Sequence, residues 1–124
     1  MMGQLERARA KMRTIVAKSL PKTSATISFT DGMPPMAPTE GNLALLTTLD
    51  GVSRDLGTGP ITAHDPSKRG AADVSFVSTF VSALDGLGAL GGNEHALGEW
   101  VNLEEQPALT KRVALLMYRL MWAK

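Results

Sequence analysis

This sequence contains no cysteine, which excludes disulfide staples and thiolate metal sites and leaves the compartment undecided. It has no excess of charge of either sign: 13 basic residues against 12 acidic ones give a formal net charge of +1. No global field therefore recruits nucleic acid or an anionic membrane. Long hydrophobic runs are missing too. No stretch approaches the roughly 18–20 apolar residues of a membrane-spanning helix. The charged N-terminus lacks the apolar core of a signal peptide, so the chain as written reads as cytoplasmic. Internal repeats, low-complexity tracts and most short catalytic motifs are also absent. There is no HExxH, no G-x-S-x-G and no P-loop, and no glycine-rich run joins a strand to a helix as a dinucleotide fingerprint requires.

What is present suits one domain, or part of a larger one: 124 residues, 44% of them hydrophobic. Over residues 4–19, Leu5, Ala8, Met12, Ile15 and Val16 recur at helical spacing, and Pro21 ends the pattern. Arg7, Arg9, Lys11 and Arg13 lie between them and read as a solvated helix face rather than a phosphate site. In residues 23–30, Ala25, Ile27 and Phe29 alternate with Thr and Ser, which predicts a half-buried antiparallel strand. The proline-rich run Met33-Pro34-Pro35-Met36-Ala37-Pro38 must travel extended.

Thr39 is placed to cap a helix reaching Leu56, with Leu45, Leu46, Leu49, Val52 and Leu56 as its buried stripe. Gly51 weakens that helix by ~1 kcal/mol relative to alanine, and Gly57 and Gly59 stop it. A short strand is expected at 61–63 and a short helix opening within 70–76, its first amides free. Pro107 fits the first turn of a last helix whose stripe is Leu109, Val113, Leu116, Met117 and Leu120. The elements add up to a mixed α/β chain with too few strands to close a sheet of its own.

Residues 84–103 concentrate five glycines and one of only two histidines. Glycine serves where backbone turns tightly or approaches another group closely, at an entropic cost a plain linker need not bear. His95 is followed by Glu99, four residues on. The plain reading is a surface loop ending in a strand, and the sharper one a loop shaped to present His95 to a site. A catalytic zinc takes three protein ligands, so this pair alone leaves such a set short. His64, in His64-Asp65-Pro66, reads as an exposed loop residue.

The succession Gly70-Ala71-Ala72-Asp73-Val74-Ser75-Phe76, Leu84-Asp85-Gly86-Leu87-Gly88 and Gly91-x-x-x-His95-x-x-x-Glu99 resembles one family closely. It is similar to the C-terminal part of the zinc exopeptidases and deacylases that include glutamate carboxypeptidase, acetylornithine deacetylase and succinyl-diaminopimelate desuccinylase. Upstream, residues 27–36 with Pro38-Thr39-Glu40-Gly41-Asn42 look like the exit from that family's inserted lid domain. The resemblance implies a fold: residues 1–36 as a helix-and-strand remnant of the lid, and 37–124 as the closing segment of a di-zinc aminopeptidase-like catalytic domain. It implies His95 as a ligand of one of two zinc ions and Gly70 in the loop that meets the substrate carboxylate. Asp73 and Glu99 then take supporting or structural roles. Ala96 stands where the family usually has a small polar residue, and Glu94 precedes the histidine. Both departures alter the ligand's hydrogen-bonded surroundings.

The family's His-x-Asp, bridging aspartate, Glu-Glu pair and further acidic ligand have no counterpart here. The expectation is therefore the last third of a zinc-dependent metallopeptidase or deacylase that hydrolyses an amide bond of a peptide or N-acyl amino acid. This chain alone is expected to be inactive. The family's lid usually mediates dimerisation, so a homo-oligomer is expected. The alternative is a non-catalytic binding or assembly module that uses the edge of the helix–strand unit.

Overall fold

In a computed structural model, which describes residues 2–65, 68, 70 and 72–122, four helices accompany one small sheet. The helices are α1 (Met2–Val16), α2 (Glu40–Asp55), α3 (Val74–Val77) and α4 (Gln106–Trp122). Strands β1 (Gly91–Gly92) and β2 (Trp100–Val101) pair antiparallel, Gly91 opposite Val101 and Gly92 opposite Trp100. The fold is thus helix-rich and mixed α/β, and no helix among the described residues is long and apolar enough to cross a membrane.

The bounds of α2 follow from local chemistry. Thr39 is extended at ψ 161° and its Oγ1 accepts the Asn42 amide at 3.2 Å, satisfying one open donor of the first turn. At the other end Gly57 adopts φ +71°. Its amide donates to the Arg54 carbonyl at 2.9 Å and the Thr58 amide to the Ser53 carbonyl at 3.0 Å, the paired bonds of a Schellman cap. Ser53, fully buried, also shares a 2.7 Å hydrogen bond between its hydroxyl and that of Thr58.

The core lies where α2 meets α4. Leu49, Val52 and Leu116 are buried there, with Leu46, Ile61, Leu84, Leu87 and Leu115 packed around them. Arg119 adds an ion pair to Asp55 across the same junction. Asn42 is as buried as these leucines. Its Nδ2 donates to the Ala37 carbonyl at 2.9 Å and its Oδ1 accepts the Ala83 amide at 2.8 Å. One side chain thereby ties the proline-rich entry, the start of α2 and the segment leading to the glycine loop. Farther along α2, the Asp50 carboxylate accepts from Arg54 Nε at 2.8 Å and from the Ile61 amide at 2.7 Å. Those contacts hold its pKa below the usual carboxylate value, the Arg54 hydrogen bond first and the Ile61 amide next.

Several sequence-based expectations change. Residues 23–30 form no strand and have no ladder partner among the described residues. Ile27 stays exposed, and Phe29 is covered from one side by α1: Arg9 and Arg13 stand over its ring, 5.3 and 5.0 Å from the centroid. Arg9 also pairs with Asp31 and with Glu6. Beyond this segment α1 comes within contact distance of no other helix or strand among the described residues, and its apolar Met12 and Ile15 remain in solvent. Residues 61–63 form no strand either. In the stripes, Leu56, Met117 and Leu120 are exposed rather than buried, since no third helix or strand among the described residues packs against α2 or α4.

Candidate functional site

Strands β1 and β2 hold residues 93–99 as a loop, and that loop carries His95. Gly91 and Gly92 make the pairing possible. A Cβ on Gly92 would meet the Trp100 indole at 2.9–3.1 Å, and one on Gly91 would run into the Trp100 carbonyl. Within the loop, Asn93 (φ 57°), His95 (φ 62°) and Gly98 (φ 83°) all occupy the left-handed region. Glycine does so freely, whereas asparagine and histidine adopt it uncommonly. The turn is closed by the Ala96 amide donating to the Asn93 carbonyl at 3.0 Å and the Glu99 amide to the Ala96 carbonyl at 3.2 Å.

His95 is exposed, with its ring free of any hydrogen bond or ion pair among the described residues. Glu99 is exposed as well and does not bond His95. Four residues apart would place them on one face of a helix, but residues 93–98 form turns here and not a helix. Glu99 instead joins Glu94 and Trp100 around an open depression of about 350 Å³ on the β1–β2 hairpin, which His95 does not line.

Gly70 lies in exposed coil, and α3 begins four residues later at Val74, with Asp73 at its cap position. The turn starts from the Ala72 carbonyl, which accepts both the Ser75 amide and the Ser75 hydroxyl. The Gly70 amide is therefore not among the open donors of this helix. Asp73 is exposed and its side chain makes no capping bond. No hydrogen bond or ion pair joins Gly70 or Asp73 to the His95 loop among the described residues. Ala71 lies outside the described residues.

Gly86-Leu87-Gly88-Ala89-Leu90-Gly91 has the glycine spacing of a dinucleotide fingerprint. It leads into β1 rather than a helix, so it offers no helix N-terminus to a pyrophosphate. The residue that sequence reasoning missed is Asn42. Its sole signal was an amide side chain in the first turn behind a capping threonine, which looks like an ordinary solvent-facing position.

Compared with protein-family models, curated proteins and solved structures, the chain matches none. Among the described residues, no three His, Cys, Asp or Glu side chains come together as a metal-holding group. The His95 loop supplies one imidazole and does not by itself fit a zinc centre.

Proposed function

We propose that this chain is the closing segment of a zinc-dependent amide hydrolase of the glutamate carboxypeptidase kind, contributing His95 as one metal ligand. The observation that carries the reading is the His95 loop. A two-stranded clamp, built on glycines that admit Trp100, holds a histidine in the left-handed region with its ring presented outward. Backbone strain of this sort costs roughly 1–3 kcal/mol and clusters at functional sites. The substrate class is a peptide or N-acyl amino acid, and the remaining ligands and general base belong to a part of the enzyme outside these 124 residues. No catalytic step is assigned to this chain.

The test is expression of the chain joined to the reading frame immediately upstream of the Met1 codon. The expected result is a frame encoding His-x-Asp and Glu-Glu, whose product hydrolyses dipeptides or N-acyl amino acids with zinc and is silenced by His95→Ala. The 124-residue chain by itself should show no metal-dependent hydrolysis. An upstream frame without those motifs, or a longer product indifferent to His95→Ala, refutes the proposal.

A second reading, a non-catalytic assembly module, draws on the bare apolar face of α1 and the unpaired backbone of residues 24–30. Such an edge invites β-augmentation by another chain. Backbone amides of 24–30 that stay unprotected from exchange at every protein concentration would sink it.

A further inference from the structure

The sequence contains three Asp-Gly pairs, Asp31-Gly32, Asp50-Gly51 and Asp85-Gly86. In such a pair the side-chain carboxyl reacts most readily with the next backbone nitrogen, because no Cβ on the following residue stands in the way. The fold treats the three differently. Asp50 lies in α2, where its carboxylate accepts from Arg54 and from the Ile61 amide, and the Gly51 nitrogen is fixed inside the same helix. Asp31 is ion-paired with Arg9 of α1. Asp85 is exposed and in coil, and neither its carboxylate nor the Gly86 amide has a hydrogen-bond or ion-pair partner among the described residues. Gly86 sits at φ +74° with open space where a Cβ would stand, so the peptide joining the two residues has room to turn.

Anchors bracket this third pair. Leu84 and Leu87 pack against the core of Leu49, Val52 and Leu116, and the Ala83 amide is held by Asn42. The chain is pinned on both sides of Asp85-Gly86 and unsupported at the pair itself.

We infer that Asp85-Gly86 is the site at which this folded chain converts itself to isoaspartate, and that the change loosens its anchoring to the core. The Gly86 nitrogen attacks the Asp85 side-chain carboxyl carbon and forms a new N–Cγ bond. Its hydrogen leaves with the carboxyl hydroxyl as water, and a cyclic succinimide remains. Water then adds at either ring carbonyl. Breaking the N–Cγ bond restores aspartate, whereas breaking the original peptide bond gives isoaspartate. One water is released and one consumed, and nothing is oxidised or reduced. In isoaspartate the main chain runs through Cβ and Cγ, one carbon longer between Leu84 and Leu87, with the α-carboxylate as the side group. Charge and composition are unchanged, so the effect is geometric. A close-packed interior tolerates little displacement, and the longer link shifts Leu84 or Leu87 from its place. The inference is independent of the role of His95.

The experiment is ageing of the full chain at neutral pH, in buffer and in concentrated urea, followed by peptide mapping with electron-transfer fragmentation to locate isoaspartate. In buffer, isoaspartate at Asp85 should exceed that at Asp31 by ~3-fold or more, the factor a surface ion pair supplies. It should exceed that at Asp50 by ~100-fold or more, since α2 must open before Asp50 can react. In urea the three positions should converge, because the pairs are chemically alike once the fold is gone. This comparison needs no variant. Asp85→Glu should remove the product at that position, since the larger ring glutamate would need forms far more slowly. The aged parent should melt several degrees below the Asp85→Glu protein aged alongside it. Isoaspartate at Asp85 no faster than at Asp31, a ranking that persists in urea, or equal melting of aged parent and variant would overturn the inference.

Discussion

Replacing Asn42 with alanine tests whether one buried amide organises the approach to the glycine loop. The side chain is 6% exposed and makes two hydrogen bonds, to the Ala37 carbonyl at 2.9 Å and from the Ala83 amide at 2.8 Å. Losing two such bonds costs about 1–3 kcal/mol net. The Ala83 amide, in a residue only 8% exposed, is then left without an acceptor. A stranded buried donor adds desolvation of ~1–3 kcal/mol, offset in part by water entering the space. A total of ~2–4 kcal/mol follows, a large share of the ~5–15 kcal/mol that holds an ordinary domain. At an m-value of ~2 kcal/mol per molar urea, the midpoint should fall by ~1–2 M. Hydrogen exchange supplies the local readout: protection of the Ala83 amide should drop by ~30- to 1,000-fold. Amides within α2 away from its first turn should change only as much as global stability does. An Asn42→Ala protein with an unaltered midpoint and a still-protected Ala83 amide would show that this clip does not hold the segment.

Three further outcomes are expected. Asp50 has a depressed folded pKa, so its contribution is present above its unfolded value of 3.8 and is lost as pH falls through the folded value below that. Exchange of the Ile61 amide, normalised for intrinsic rate, should accelerate below that pH, whereas in Asp50→Asn it should be insensitive to the same acidification. Gly41→Ala should destabilise the chain by ~1–3 kcal/mol through overpacking, because a Cβ there runs into the Ser82 side chain. Ser82→Gly should recover most of that loss in a thermal melt, and a Gly41→Ala protein as stable as the parent would contradict the close approach. His95→Gly should leave the melting temperature unchanged or raise it, since glycine relieves a left-handed backbone worth ~1–2 kcal/mol. A marked loss of stability would mean that the His95 ring packs structurally, against its exposed position.

Much of the helical layout was legible residue by residue. Thr39, Gly57 and Pro107 act through their own backbone geometry and nearest hydrogen bonds, and these operate within one turn. The glycine pair before the His95 loop was legible as a close approach, although what approaches, the Trp100 backbone and indole, was not. Alternation in residues 23–30 predicts a half-buried strand, and the structure forms none there. A strand exists only with a neighbour to accept its amides, and pattern within a segment carries no information about the neighbour.

Burial belongs to pairs of surfaces, so tertiary structure alone decided it. Met117 and Leu120 carry the same hydrophobic signal as Leu116, yet among the described residues α2 is the one helix that packs against α4, and it leaves Met117 and Leu120 exposed. Asn42 and Ser53 look like solvent-facing positions in sequence and are buried because Ala37, Ala83 and Thr58 converge on them from outside the helix. His95 and Glu99 share a helical spacing but lie in a turn that includes left-handed residues and not in a helix. The sequence by itself determined which residues cap, turn and break the chain, because those are interactions over a few bonds. Which apolar face is covered, and by what, depends on contacts between segments far apart in the chain, and only the folded arrangement supplies them.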